Sequence, residues 1–191
     1  SIQIGKKPIL INDLKLIIKA INKDNISQFD KLKNKSLILI GFSGGFRRSE
    51  LVALLIEDID FVEEGVKILI RRSKTDQSGE GFVKGIPYFS NNEYCPVLNL
   101  KKYIKELNSI NGKLFNMCDK TVALKIKKYA MLAGLDHKKY AGHSLRSGFA
   151  TSTAELGAEE RSIMAMTGHK STQMVRRYIK EANLFKNNAL N

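Results

Sequence analysis

The stretch GHKSTQMVRRYIK, residues 168–180, sets a phenol, Tyr178, directly behind Arg176 and Arg177. A phenol near the end of an amphipathic helix is either half-buried packing or, once deprotonated, a nucleophile. This stretch alone leaves both open. Two further stretches carry reactive side chains at helical spacing. GGFRRSELVAL, 44–54, sets Glu50 three positions after Arg47, and GHSLRSGFATS, 142–152, sets Arg146 three positions after His143. Residues three apart are neighbours on a helix, so the first pair can be an ordinary surface ion pair. In the second, a helix capped by Ser144 would put an imidazole and a guanidinium at an N-terminus, where free backbone N–H groups favour an anion. His137 stands alone and is read as structural.

In order along the chain, and with RRSKT at 71–75 among them, these stretches resemble the catalytic signature of the tyrosine recombinases, the phage integrase family. The resemblance runs over essentially the whole chain. It implies that DNA is cleaved and rejoined through a 3′-phosphotyrosyl intermediate. By the same resemblance Tyr178 is the nucleophile, and Arg47 and Arg146 clamp the scissile phosphate. His143 is a base beside that clamp, and His169 hydrogen-bonds the phosphate or orients the nucleophile. Lys74, on the loop between the second and third strands, protonates the leaving oxygen, with Lys84 on the next strand as the alternative acid. Glu50, at the family's acidic position, holds the Arg47 guanidinium. Arg48, Arg176 and Arg177 are read as phosphate contacts or solvated charges.

The chemistry needs each of these groups. Bringing a phenol of pKa near 10 to phenolate at pH 7 costs about 4 kcal/mol, so the tyrosine needs a base or acceptor as it attacks. The five-coordinate phosphorus gains negative charge, which calls for fixed cationic donors on its non-bridging oxygens, and planar guanidinium forks suit that. The leaving 5′-oxygen is far more basic than phenolate and must be protonated by a general acid. No metal and no nucleotide cofactor is called for, because the arginines neutralise charge and the phosphotyrosine keeps the bond energy.

Helices and a small sheet must hold these side chains. After Pro8, LINDLKLIIKAI has apolar residues at helical spacing, with Asn12 or Asp13 as a cap. A second apolar run, SLILIGFSGGF, closes on Gly44 and Gly45, and helical spacing resumes in RRSELVALL. IDFVEEGVKILI reads as two strands about a Glu–Gly turn and GFVKGIPYF as a third, joined by the polar RRSKTDQSGEG. Helices are expected near 96–107, 120–133, 144–156, 159–167 and 171–180. The fold class is mainly α with a small antiparallel three-stranded sheet (α+β), like the integrase catalytic domain. The catalytic domain is expected over 1–180, with 181–191 a tail that by resemblance docks on a neighbouring protomer. The family's N-terminal core-binding domain is expected to lie outside this chain, which reads as a fragment of a longer protein.

Composition agrees with a polyanionic partner. Lysine and arginine total 32 against 19 acids, a net charge of +13 in 191 residues. The basic residues cluster at Lys31, Lys33 and Lys35, at Arg71, Arg72 and Lys74, and at Lys125, Lys127 and Lys128. Neutralising phosphates releases counterions, so double-stranded DNA is the expected partner, although a solvated lysine surface has the same composition. By resemblance, helix 120–133 reads bases, with Lys120, Thr121 and Lys125 as contacts. Four copies are expected on DNA, and the free protein is compatible with a monomer. No apolar run approaches a membrane span and the stretch SIQIGKKPIL lacks the long apolar region of a secretory signal, so a soluble, cytoplasmic protein is expected. Cys95 and Cys118 have neither metal-site spacing nor a disulfide count and are read as reduced packing residues. Two competing functions are a type IB topoisomerase, disfavoured by the wording of RRSEL and GHSLRSG, and a DNA-binding module without catalysis.

Overall fold

The computed structural model describes residues 6–71 and 81–155. Helix α1 (Ile11–Lys23) buries Leu14, Ile17, Ile18 and Ile21, the stripe that helical spacing dictates. It starts earlier than expected. Leu10 takes the N-cap position without a side-chain cap, and Asp13 falls in the first turn, where its charge suits the helix dipole. Helix α2 (Gln28–Ser43) opens at Ser27, whose hydroxyl accepts the Asp30 N–H. From Leu37 to Ser43 every residue is buried, so the apolar run is the central helix of the domain.

Helix α2 ends in a Schellman turn, with Phe46 N–H donating to Gly41 O and Gly45 N–H to Phe42 O. Gly45 sits at φ +59°, and a Cβ there would stand 2.8 Å from Cδ1 of Phe149. Gly45→Ala is therefore expected to lower stability by about 1–3 kcal/mol, read as an earlier midpoint in urea. A midpoint equal to wild type would mean that the turn is not under this constraint.

The short helix α3 (Arg48–Ala53) follows, and then the sheet. Strands β1 (Ile59–Phe61), β2 (Gly65–Ile70) and β3 (Phe82–Pro87) are antiparallel in the order β1-β2-β3, with Ile68 opposite Lys84 and Ile70 opposite Phe82. Val66, Ile68, Ile70, Phe82 and Ile86 of this sheet are buried. Helix α4 (Pro96–Leu107) packs on α2 and begins on the proline that suits a first turn. Helix α5 (Asp119–Leu132) lies one residue from its expected bounds, and α6 (Ser144–Glu155) crosses α2. The helices expected at 159–167 and 171–180, and the tail 181–191, lie outside the described residues.

The chain entering α1 is fastened to the start of α6 and to the turn that precedes it. Lys7 N–H donates to Lys139 O and Ile9 N–H to Ser144 O, while a Cβ at Gly148 would fall 2.0 Å from Ile9 O. Only glycine permits that approach.

Both cysteines are free, but only Cys95 is a packing residue. Cys118 is exposed because it occupies the surface turn that opens α5, where hydrogen bonding with Thr121 pulls its thiol below the ordinary range. Among the described residues no helix is long and apolar enough to cross a membrane.

Candidate active site

The Schellman turn redirects the chain so that Arg47 becomes the N-cap residue of α3 and Glu50 falls in that helix's first turn. Glu50 Oε1 accepts the Arg47 backbone N–H at 2.8 Å. This is the local reason for an acid at that position: it satisfies a helix-end donor with a carboxylate. The Glu50 side chain is 5% exposed, and burial of a carboxylate requires cations. They come from two places in the sequence. Arg47 Nη1 lies 3.7 Å from Glu50 Oε2, and Arg146 Nη1 lies 3.5 Å from Glu50 Oε1. The surface i, i+3 pair left open by the sequence is thus the buried hub of the site.

Arg146 reaches this hub from the first turn of α6. Its Nη1 also donates to Gly45 O at 3.3 Å, tying α6 to the turn after α2. Burial, then the nearby Arg47, pushes the Arg146 guanidinium down to about 10, against the opposing pull of Glu50. It stays charged at neutral pH. Arg47 and Arg146 keep 22% and 14% of their side chains exposed, so each fork remains partly open to a ligand. Arg47 Nη1 is buried and has no hydrogen-bond acceptor among the described residues. It stands 3.7 Å from Glu50 Oε2, an ion pair without a hydrogen bond.

His143 is exposed at the head of α6. Its carbonyl accepts the first helical bond, from Ser147 N–H at 3.0 Å, so His143 itself is the N-cap residue. The expected cap at Ser144 is corrected: that residue is the first of the helix, and its hydroxyl turns back to accept the Ala141 N–H. The imidazole and the Arg146 guanidinium still share the helix N-terminus.

Lys84 is 1% exposed and faces into the domain. Its Nζ donates to Gly44 O at 2.8 Å and lies 4.2 Å from the centroid of the Phe46 ring. Its ammonium is thus enclosed against the turn that follows α2. Lys74, His169 and Tyr178 lie outside the described residues, so their convergence on this hub is not part of the described geometry.

The expected DNA contacts on α5 divide. Lys120 is exposed, and Thr121 Oγ1 lies 3.3 Å from Cys118 Sγ. Lys125 Nζ donates to Asn34 Oδ1 at 2.8 Å, part of a chain in which Asn34 donates to the Tyr129 hydroxyl and that hydroxyl donates to Asp24. This network pins α5 to α1 and α2, and no motif in the sequence announced it. Arg48 is engaged with Asp119 across the α3–α5 contact, with Nε 3.5 Å from Oδ2. Among the described residues, no group of three or more His, Cys, Asp and Glu side chains could hold a metal.

The sequence model described as the phage integrase family matches residues 9–184. An integrase/recombinase xerD homolog of Selenomonas ruminantium is 44% identical over 203 aligned positions, covering 100% of this chain and 59% of its own length. The crystal structure of XerA recombinase has the same fold, with a TM-score of 0.67 at 23% identity over 94% of this chain and 60% of that one. XerH site-specific recombinase, bound to palindromic difH substrate in a post-cleavage complex, shares it too: TM-score 0.67, 20% identity, 92% of this chain and 50% of that one. The chain therefore spans 59% of the length of the curated relative and 50–60% of these structures.

Proposed function

Since the chain belongs to the phage integrase family, we propose that it carries the strand-cleaving and rejoining chemistry of a site-specific DNA recombinase. The observation that supports this most is the meeting of Arg47 and Arg146 on the buried Glu50. Two forks held by one carboxylate form a preorganised cradle for the non-bridging oxygens of a phosphodiester.

In the proposed reaction the Tyr178 oxygen attacks phosphorus as its proton passes to His143, and His169 hydrogen-bonds the phosphate. The bond from phosphorus to the 5′-oxygen breaks, and Lys74 gives that oxygen a proton. A 3′-phosphotyrosine and a free 5′-hydroxyl result. Attack by another strand's 5′-hydroxyl runs the same steps backward, so rejoining needs no external energy source. Exchange between two duplexes cuts four strands with one tyrosine each, which leads to a homo-tetramer on double-stranded DNA, with residues 181–191 docked between neighbours. Lys120 and Thr121 would meet the duplex from the head of α5, with Lys125 behind them. The work would take place in the cytoplasm, with the DNA.

A pool of nicked duplexes of randomised sequence tests this reading. Cleavage beside the nick releases a short oligonucleotide, so the covalent complex cannot reverse and accumulates. Protease digestion of that complex should yield DNA linked to the peptide containing Tyr178, and sequencing of the captured DNA should return a preferred site. Linkage to any other residue removes the mechanism. Linkage to Tyr178 without a preferred site, together with plasmid relaxation, would indicate a topoisomerase instead.

A further inference from the structure

Lys84 stands on the face of β3 that also carries the buried Phe82 and Ile86, opposite Ile68 of β2. An apolar residue would be the ordinary occupant of such a position. A lysine kept there needs acceptors, and Lys84 has them at the end of α2: Nζ donates to Gly44 O at 2.8 Å and lies 3.5 Å from Gly45 O. These carbonyls belong to a helix C-terminus, the negative end of a dipole, where a cation is stabilised. The rings of Phe46 and Phe82, with centroids 4.2 and 5.8 Å away, add favourable faces. Gly45 O is shared, since Arg146 Nη1 donates to it as well. One residue further on comes Phe46, and then Arg47.

We propose that Lys84 is a positioning residue of the phosphate clamp: its buried ammonium fixes the carbonyls of the Gly44–Gly45 turn, and through them the places of the Arg47 and Arg146 guanidiniums. The sheet is thereby connected to the two-arginine cradle, and β3 contributes to the site without touching the phosphate. The charged groups that face Lys84 are Glu50, Arg146 and Arg47. Burial depresses its ammonium to about 7; Glu50 opposes this, and the two arginines add to it. A phosphate drawn between the arginines brings in a further negative charge and favours the protonated form.

The test compares the full chain with Lys84→Met, which keeps length and apolar bulk but has no donor. The proposal rests on the recombinase reading for its functional arm only. In the structural arm, amide hydrogen exchange of the free protein should rise at least about tenfold over residues 44–47, while α1 and α4 keep their protection. In the functional arm, on the nicked randomised pool, the rate of covalent complex formation should fall at least about tenfold while non-covalent affinity stays within about threefold. The wild-type advantage should be larger at pH 6.5 than at pH 9, as a protonated Lys84 requires. If Lys84→Met does not fold, Lys84→Gln, which keeps a neutral donor, carries the same comparison with smaller changes in the same direction. Unchanged exchange over 44–47 overturns the proposal, as does a fall in rate matched by an equal fall in affinity at every pH. A wild-type protein that forms no covalent complex would remove the recombinase reading, and hydrogen exchange would still decide whether Lys84 holds the turn.

Discussion

Tyr178→Phe is expected to abolish the covalent complex on the nicked pool, a loss of at least about 10⁴-fold, while DNA affinity changes little. The substitution removes a single oxygen, and that oxygen is the one that must bond to phosphorus. Four of the other tyrosines have phenols held away from the phenolate form by burial. Burial pushes the phenols of Tyr103 and Tyr140 up to about 12, with the Tyr103 hydroxyl committed to Leu114 O and the Tyr140 hydroxyl to Asp13. Tyr129 is raised further by burial and its bond to Asp24, Tyr94 is raised by burial, and the Tyr88 hydroxyl accepts from Lys101. A covalent complex that persists in Tyr178→Phe would therefore remove this nucleophile from the mechanism.

Glu50→Ala should be the most damaging substitution for the free protein, costing about 3–5 kcal/mol of stability in urea unfolding at pH 7. It leaves the guanidiniums of Arg47 and Arg146 facing each other without their shared counter-ion, and it orphans the Arg47 backbone N–H. Glu50→Gln should lie between alanine and wild type, because an amide oxygen can still accept that N–H without supplying charge. Adding duplex DNA should raise the melting temperature of Glu50→Ala by more than that of wild type, since a phosphate can substitute for the lost carboxylate. A loss below about 1 kcal/mol would mean that the arginines do not depend on this carboxylate.

Much of the scaffold was legible because it follows local rules. Pro96 marked the start of α4, and strand-forming runs about a Glu–Gly turn marked the sheet. Helix α2 was legible only in its apolar half. Its first turns carry Lys31 and Lys33, which read as a charge cluster rather than as the outer face of a helix opened by Ser27. Arg47, His143 and Arg146 could be named from their motifs, but Glu50 could be matched only with Arg47. Its contact with Arg146 joins segments far apart in the chain and depends on how α6 crosses α2. Lys84 shows the opposite case. Alternation along Phe82, Lys84 and Ile86 already places it on the inner face, yet its residue type argues for solvent. The end of α2 resolves the conflict by supplying carbonyls that only the folded chain brings there.

The fastening of residues 7–9 to α6 gives the site a mechanical property. The hydrogen bond from Ile9 to Ser144 and the glycine contact at 148 join the incoming chain to the helix that carries Arg146, and the bond from Lys7 to Lys139 joins it to the turn before that helix. A displacement of Ile9 that preserves these contacts must carry the first turns of α6 with it, and Arg146 reaches Glu50 from the first of them.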